Sequence, residues 1–195
     1  MLFRSLPWNE PAVIARVYLA APRVHWPKPD LDLQADIAEV EARLADVQRK
    51  NARWVRFTGG ELLRTDEEAG PWLERHAAAV DGVLVVPLSA PMRALAPLVT
   101  GLDVPALYFS RPYAGHGWSG IAALRAAGRK IDALATSSYG DLDPYMRIFY
   151  TARHLRRSKV LIVGRNREKL AGAYAARFGT AYKILEYRDL QACFD

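Results

Sequence analysis

Residues 82–88 read GVLVVPL, and this run indicates the class of fold. The run is almost continuously apolar, whereas a strand with one solvated face alternates apolar and polar residues. A strand without that alternation is covered on both faces, as in a parallel sheet between two layers of helices. The run therefore predicts the centre of an α/β protein.

Strands and helices alternate on both sides of this run. Further strands are predicted at 16–21, 53–57, 104–109, 130–136, 159–164 and 180–187. Apolar residues at helical spacing separate them, most clearly Leu33, Ile37, Val40, Leu44 and Val47. Strands joined by crossovers of this length form right-handed βαβ units. We therefore expect an open parallel sheet of the Rossmann/flavodoxin-like type, with helices on both faces.

Local signals mark where several of these elements begin and end. The TGG at 58–60 predicts a turn after the second strand. Ser89 and Ser119 are candidate helix N-caps. Pro71 is expected to open a helix, and Gly179 to close one.

Composition argues against a membrane-spanning protein, a secreted protein and a disulfide-linked protein. The chain has 195 residues, 51% of them hydrophobic, and no apolar run long enough for a membrane span. With no secretory signal, a cytoplasmic location is the default expectation. Cys193 is the single cysteine, which excludes an internal disulfide and a cysteine-based metal cluster.

The basic character of the chain is interpreted as an ordinary charged surface. The net charge is +6, and the densest basic run, RHLRRSK at 153–159, falls at a predicted helix end without interleaved aromatic residues. Cations at that position complement the helix dipole. We expect neither a nucleic-acid nor a membrane partner.

The stretch FSRPYAGHGWSG at 109–120 is the candidate ligand loop. It leaves a predicted strand at its carboxyl end, where open parallel sheets bind ligands. Gly115 and Gly117 flank His116 and allow the backbone to approach a ligand closely. The same glycines and proline also make ordinary turns, so a purely structural loop is the alternative.

The sequence gives weaker support for a catalytic triad, a zinc motif or a dinucleotide site than for this ligand loop. No Ser-His-Asp, Cys-His or HExxH arrangement is present. Asp141 and Asp143 are a candidate carboxylate pair, although an acidic pair before a helix is more often a cap. The segment VLIVGRNREKLAGAYAARFG at 160–179 resembles the second strand and helix of short-chain dehydrogenases. The glycine-rich fingerprint expected about 25 residues earlier is missing, which argues against an NADP-linked enzyme built around Gly164 and Arg165.

Residues 81–164 resemble the N-terminal region of the L-fucose/L-arabinose isomerase-like family. The resemblance is carried by DGVLVVPLSAP, LDVPALYFSRPYAGHGW and LATSSYGDLDPYMRIFYTARHLRRSKVLIVG in that order. It implies an N-terminal flavodoxin-like domain at 1–157 and the start of a second α/β domain at 158–195. It also implies a homo-oligomer in which Tyr113, His116 and Trp118 contact a sugar at a neighbouring subunit's active site.

The resemblance further implies which functions this chain lacks. Family enzymes interconvert aldoses and ketoses with a divalent metal, usually Mn²⁺, held by residues of later domains. No catalytic or metal-ligating residue is therefore expected within 1–195, and the chain by itself is expected to be inactive. The alternative is a stand-alone flavodoxin-like module that binds a small polar ligand without catalysis.

Overall fold

The computed structural model describes residues 10–27, 29–114, 117–165 and 167–191. The chain divides into two compact units, Met1–Tyr150 and Thr151–Asp195. The expected domain boundary after residue 157 stays a prediction.

The first unit alternates strands with helices. Its strands are β1 (Ala12–Leu19), β2 (Val55–Leu63), β3 (Gly82–Pro87), β4 (Ala106–Ser110) and β5 (Ile131–Ala135). Its helices are α1 (Leu33–Lys50), α2 (Ala69–His76), α3 (Leu95–Gly101), α4 (Trp118–Ala126) and the beginning of α5 (Asp143–Arg157), which a 3-10 turn at Tyr139–Leu142 precedes.

The five strands form one parallel sheet in the order β2-β1-β3-β4-β5. All six residues of β3 are buried, which confirms the interpretation of the apolar run at 82–88. The order in which strands join the sheet reverses at β1, because β2 lies on one side of β1 and the later strands lie on the other. The predicted open parallel sheet of Rossmann/flavodoxin-like type is confirmed.

Two apolar clusters cover the two faces of the sheet. One contains Trp72, Leu98 and Tyr108, and it packs β-strand side chains against α2, α3 and α4. The other contains Leu44 and Phe149 and packs the opposite face against α1 and α5. Helices therefore lie on both faces, as the sequence predicts.

The α1 helix follows directly from its sequence. The Asp32 carboxylate accepts hydrogen bonds from the backbone N–H groups of Gln34 and Ala35 at 3.0 Å each, which satisfies two donors that the first turn leaves free. The residues at helical spacing that face the sheet are buried, namely Leu33, Val40, Leu44 and Val47. Arg49 and Lys50 in the last turn complement the helix dipole.

The turn predicted at 58–60 is wrong. Thr58, Gly59 and Gly60 lie inside β2, where φ is +71° at Gly59 and +122° at Gly60. Arg16 of β1 pairs with Gly59 and the next residue, Val17, pairs with Glu61, so Gly60 is an extra residue. The glycines make a β-bulge, which allows the strand to continue where a turn would have ended it.

Three predicted helix starts are also corrected. Ser89 caps no helix, because its buried Oγ accepts a hydrogen bond from the Ala21 N–H at 2.8 Å. Ser119 is the second residue of α4, whose N-cap is Gly117. The α2 helix begins at Ala69 rather than at Pro71.

The second unit pairs two short strands in parallel. It contains β6 (Lys159–Val163), α6 (Glu168–Phe178), β7 (Ala181–Leu185) and α7 (Tyr187–Gln191). Gly179 closes α6 in the left-handed conformation at φ +69°, as predicted. Large apolar side chains are exposed on these elements, namely Val160, Leu161, Leu170, Tyr174, Phe178 and Tyr182.

In the part of the chain that the structure describes, no helix combines the length and the apolar character needed to cross a bilayer.

Candidate functional site: the carboxyl edge of β4 and β5

The candidate site begins where β4 ends. Ser110 closes the strand, and Arg111 is the first side chain of the loop that follows it. Thr136, directly after β5, lies beside the last residue of β4, since its N–H donates to the Ser110 carbonyl at 3.2 Å. The loops after β4 and β5 therefore leave the sheet side by side, at the edge where ligands of open parallel sheets bind.

Arg111 is held by a bidentate ion pair with a carboxylate of α1. Its Nη1 and Nη2 donate to Oδ1 and Oδ2 of Asp36 at 3.0 and 2.8 Å. The side chains are only 15% and 16% exposed. Burial alone would lower the pKa of Arg111, but hydrogen bonding and attraction to the Asp36 carboxylate raise it instead. The guanidinium is therefore permanently charged and held in one orientation.

Nε of Arg111 is buried and has no hydrogen-bond partner among the described residues. A buried donor without a partner costs free energy, so the pair with Asp36 has to offset that cost. Residues kept at such a cost are concentrated at functional sites.

Tyr139 stands beside Arg111 at the end of the β5 loop. Its ring packs edge-on against Phe109, with the ring centroids 5.1 Å apart. Burial raises the pKa of the Tyr139 hydroxyl, and the nearby Arg111 charge lowers it by less. The hydroxyl therefore stays protonated at neutral pH and can both donate and accept a hydrogen bond.

A polar groove of about 560 Å³ opens between α1 and these two loops. We call it the strand-end groove. The α1 wall carries Glu39, Arg43, Asp46 and Lys50. The opposite wall is formed by Arg111, Pro112, residues 137–140 and Asp143.

The three residues expected to contact a sugar have different surroundings. Tyr113 is 76% exposed and adopts φ +63°, a left-handed conformation that is uncommon for a tyrosine. His116 lies outside the described residues. Trp118 is the first residue of α4 and is 42% exposed.

Trp118 packs on the opposite side of the sheet from the strand-end groove. Its ring contacts Tyr108 edge-on at 6.0 Å, and Tyr108 belongs to the α2–α4 layer. Phe109, beneath Tyr139 and the groove, belongs to the α1 and α5 layer. Alternation along β4 thus directs neighbouring aromatic residues to opposite faces. Trp118 and the groove are separate parts of the carboxyl edge.

Gly117 is required at its position for space. A Cβ on Gly117 would lie 2.5 Å from the Tyr108 hydroxyl oxygen, whereas its φ of −72° suits any residue. Burial raises the pKa of Tyr108 to about 12, and its hydroxyl donates to Sδ of Met92 at 3.3 Å. The close approach of α4 to the buried Tyr108 therefore depends on this glycine.

The two aspartates noted in the sequence take different partners. Asp143 accepts hydrogen bonds from Nδ2 of Asn51 at 2.7 Å and pairs with Lys50 at 2.8 Å. The hydrogen bond from Lys50 is the main reason that the pKa of Asp143 is lowered. Asp141 accepts from Oγ1 of Thr136 at 2.6 Å. These contacts tie α1, the β5 loop and α5 together at the rim of the groove.

Sequence reasoning missed the residues that organise this site. Arg111 stood inside the quoted loop, and an arginine directly after a buried strand was the available signal. Nothing in the sequence indicated Asp36 as its partner, because the two residues are 75 positions apart. Within the described residues, no three His, Cys, Asp or Glu side chains come together as a metal site.

Comparison with known proteins assigns no family. A scan against protein-family models gives no match, and a search of curated proteins finds no relative. The resemblance stated above therefore remains an expectation, and function has to be argued from the fold and the site.

Proposed function

We propose that this chain is the N-terminal part of a sugar isomerase-like protein of the cytoplasm, acting on an aldose or ketose. The observation that carries the proposal is the loop after β4. It holds an exposed Tyr113 at the ligand-binding edge of a flavodoxin-like sheet, in the ordered series of strand-end loops that resembles the family.

In the proposed assembly this loop covers an active site of a neighbouring subunit. An exposed aromatic ring suits the C–H face of a sugar, and the 76% exposed Tyr113 has surface available for such a contact. Trp118 would add a second aromatic surface from α4. The isomerisation moves a proton between adjacent carbons, and Mn²⁺ held by other domains would stabilise the oxygen that becomes negative.

The second unit supports a continuation into another α/β domain. Its two parallel strands leave Val160, Leu161 and Tyr182 exposed, although the faces of a parallel sheet are normally covered by helices. Residues 158–195 would then be the opening of a second domain. Additional strands and helices would cover these apolar side chains.

The test is an isomerase assay on the product of the full reading frame that contains residues 1–195. With Mn²⁺ supplied, we expect interconversion of an aldose and its ketose by the full product, and none by the 195-residue chain. Tyr113→Ala should reduce kcat/KM of the full product by about tenfold, which corresponds to about 1.4 kcal/mol. A full product without isomerase activity towards L-fucose, L-arabinose and their relatives would contradict the proposal.

A stand-alone module that binds a small polar ligand is the second candidate. The strand-end groove favours this second candidate, because residues of this one chain line the groove and no neighbouring subunit is needed to form it. Such a module would bind its ligand without any downstream sequence, and it would catalyse no reaction on it.

A further inference from the structure

The strand-end groove has the features of a ligand site of its own. It lies at the carboxyl edge of β4 and β5, it measures about 560 Å³, and its walls come from three separate segments of one unit. Ligand pockets in proteins commonly measure about 300–1,000 Å³. We propose that this groove binds a small neutral polyhydroxy compound, about the size of a monosaccharide.

The polar lining suits hydroxyl groups. Ser137, Ser138 and Tyr139 contribute hydroxyls that both donate and accept, Arg43 only donates, and Glu39 only accepts. A ligand hydroxyl also donates and accepts, so it can pair with each of these groups. An apolar ligand would strip water from the same groups without replacing their hydrogen bonds.

Charge compensation argues for a neutral ligand. The cations of the lining are Arg43, Lys50 and Arg111, and the anions are Glu39, Asp46 and Asp143. These charges sum to zero. Arg111 is moreover held by Asp36, and Lys50 by Asp143. A phosphate or carboxylate ligand would therefore meet no excess of positive charge.

Part of the groove is ordered before any ligand arrives. Arg111 is fixed by two hydrogen bonds to Asp36, and Tyr139 by its packing on Phe109. A site whose groups are already oriented loses less entropy when a ligand binds. The wall of the groove formed by the loops after β4 and β5 is thus held by contacts within the chain.

This inference is independent of the isomerase-like function. It concerns the α1 side of the sheet, whereas Trp118 lies on the α4 side. Binding at the groove and binding at the Tyr113–Trp118 loop can therefore be told apart residue by residue.

The experiment is an NMR titration of the ¹⁵N-labelled 195-residue chain. The probes are myo-inositol, L-arabinose and L-fucose, with cyclohexanol and inorganic phosphate as controls. We expect at least one polyhydroxy probe to shift the amide signals of Ser138, Tyr139 and Gly140. Cyclohexanol shares the six-membered ring of myo-inositol but has one hydroxyl, so it should leave these signals unchanged.

Variants on the exposed face of α1 test the site without disturbing the core. Glu39→Ala and Arg43→Ala should each raise the Kd of the bound probe by about tenfold, as the loss of a hydrogen bond to a charged group would. Arg129→Ala is the matched control, because Arg129 precedes β5 at the opposite edge of the sheet. Its Kd should equal that of the unaltered chain.

Three results would overturn the inference. The first is the absence of shifts with every polyhydroxy probe at about 100 mM, far above a millimolar Kd. The second is a response at residues 138–140 to phosphate alone, which would make the groove an anion site. The third is a response confined to Tyr113 and Trp118, which would support the proposed function but not a ligand in the groove.

Discussion

At the scale of single residues, the site contains one buried cation, Arg111. Its guanidinium is removed from water, aligned on Asp36 by two hydrogen bonds, and left with one buried N–H that has no partner among the described residues. Removing one member of a buried pair is more damaging than removing both, because the remaining charge is then buried alone.

Arg111→Met should therefore destabilise the first unit strongly. We expect the free energy of unfolding in urea to fall by about 3 kcal/mol. The double variant Arg111→Met/Asp36→Leu should recover most of this loss. Arg125→Ala is the matched control, since its pair with Asp132 is 59% and 53% exposed and should contribute at most about 1 kcal/mol. Equal losses in both single variants would contradict the burial argument.

Glu61 should make stability depend on pH. Burial opposes its ionisation, but hydrogen bonds from its own backbone N–H and from His76 outweigh burial and lower the pKa below its ordinary value of 4.5. Nε2 of His76 lies 2.5 Å from Oε1 of Glu61, and Nε1 of Trp72 donates to Oε2 at 3.3 Å. A lowered folded-state pKa stabilises the fold above pH 4.5, and this stabilisation is lost as pH falls through the folded-state pKa.

Glu61→Gln should accordingly be less stable than the unaltered chain at pH 7 and nearly equal to it near pH 3. The difference at pH 7 should stay below about 1 kcal/mol, because Glu61 is 37% exposed and solvent screens its interactions. Unfolding in guanidinium at a series of pH values measures it. Glu74→Gln, an exposed change on α2, should show little difference at any pH. A gap for Glu61→Gln that widens in acid would contradict the assignment.

The sequence predicted some residues at the carboxyl edge of the sheet and missed others. Tyr113 was expected to contact a sugar because its loop resembles that of the isomerase-like family, and its exposure leaves its ring available for contact. Asp36 was not predicted, because hydrophobic periodicity places a residue on a helix but does not identify a partner on a distant loop. Gly117 was expected to let the backbone approach a ligand closely. In the structure, its missing side chain instead leaves room for the Tyr108 hydroxyl.

At the scale of elements, β2 shows why local turn signals can mislead. Two adjacent glycines usually end a strand, and here they form a bulge because β1 continues to pair on both sides of them. Arg16 of β1 reaches across to this bulge, donating from Nη2 to the Gly59 carbonyl at 3.0 Å. Long-range pairing overrides the local preference for a turn.

Gly59→Ala should therefore destabilise β2. A Cβ there would lie 2.8 Å from the Arg16 carbonyl oxygen, and φ of +71° disfavours any L side chain. We expect a loss of about 2 kcal/mol in the free energy of unfolding. Gly70→Ala is the control, because no atom lies within 4 Å of its Cβ position in α2 and alanine favours helix by up to about 1 kcal/mol. A stabilising Gly59→Ala would show that the bulge is absent.

The N-terminus of α1 offers a second test at this scale. Asp32→Ala removes the acceptor for the N–H groups of Gln34 and Ala35. The expected loss is about 1 kcal/mol in unfolding free energy, with Asp32→Asn retaining most of the stability. Thermal and urea unfolding of the two variants and the unaltered chain would measure this loss. If Asp32→Ala were as stable as the unaltered chain, the cap would contribute nothing.

At the scale of the whole molecule, periodicity predicted the class of fold but not the arrangement of its strands. The alternation of strands and helices is enough to require a parallel sheet. The position of β1 between β2 and β3 is a choice of topology that alternation alone leaves open. The exposed apolar side chains of the second unit, such as Leu170 and Tyr174, likewise became visible only in three dimensions.

The two units should differ in local stability. The β3 strand is fully buried, whereas β6 and β7 form a two-stranded sheet of mainly exposed residues. We expect backbone amides of β1, β3 and β4 to exchange with deuterium at least about a hundredfold more slowly than those of β6 and β7. Hydrogen exchange followed by NMR measures both sets at once. Equal protection would show that the units open together.

The position of β1 between β2 and β3 also has a consequence during synthesis of the chain. The backbone N–H groups of Val13 in β1 and of Ala21 just after it donate to side-chain oxygens of Asp81 and Ser89, each 68 residues further along the chain. At ribosomal speeds of about 5–20 residues per second, roughly 3 to 14 s pass between the translation of these partners. Throughout that interval the edge of β1 that will pair with β3 has no partner strand. The nascent chain therefore passes through a stage in which β1 has been made and its partner β3 has not.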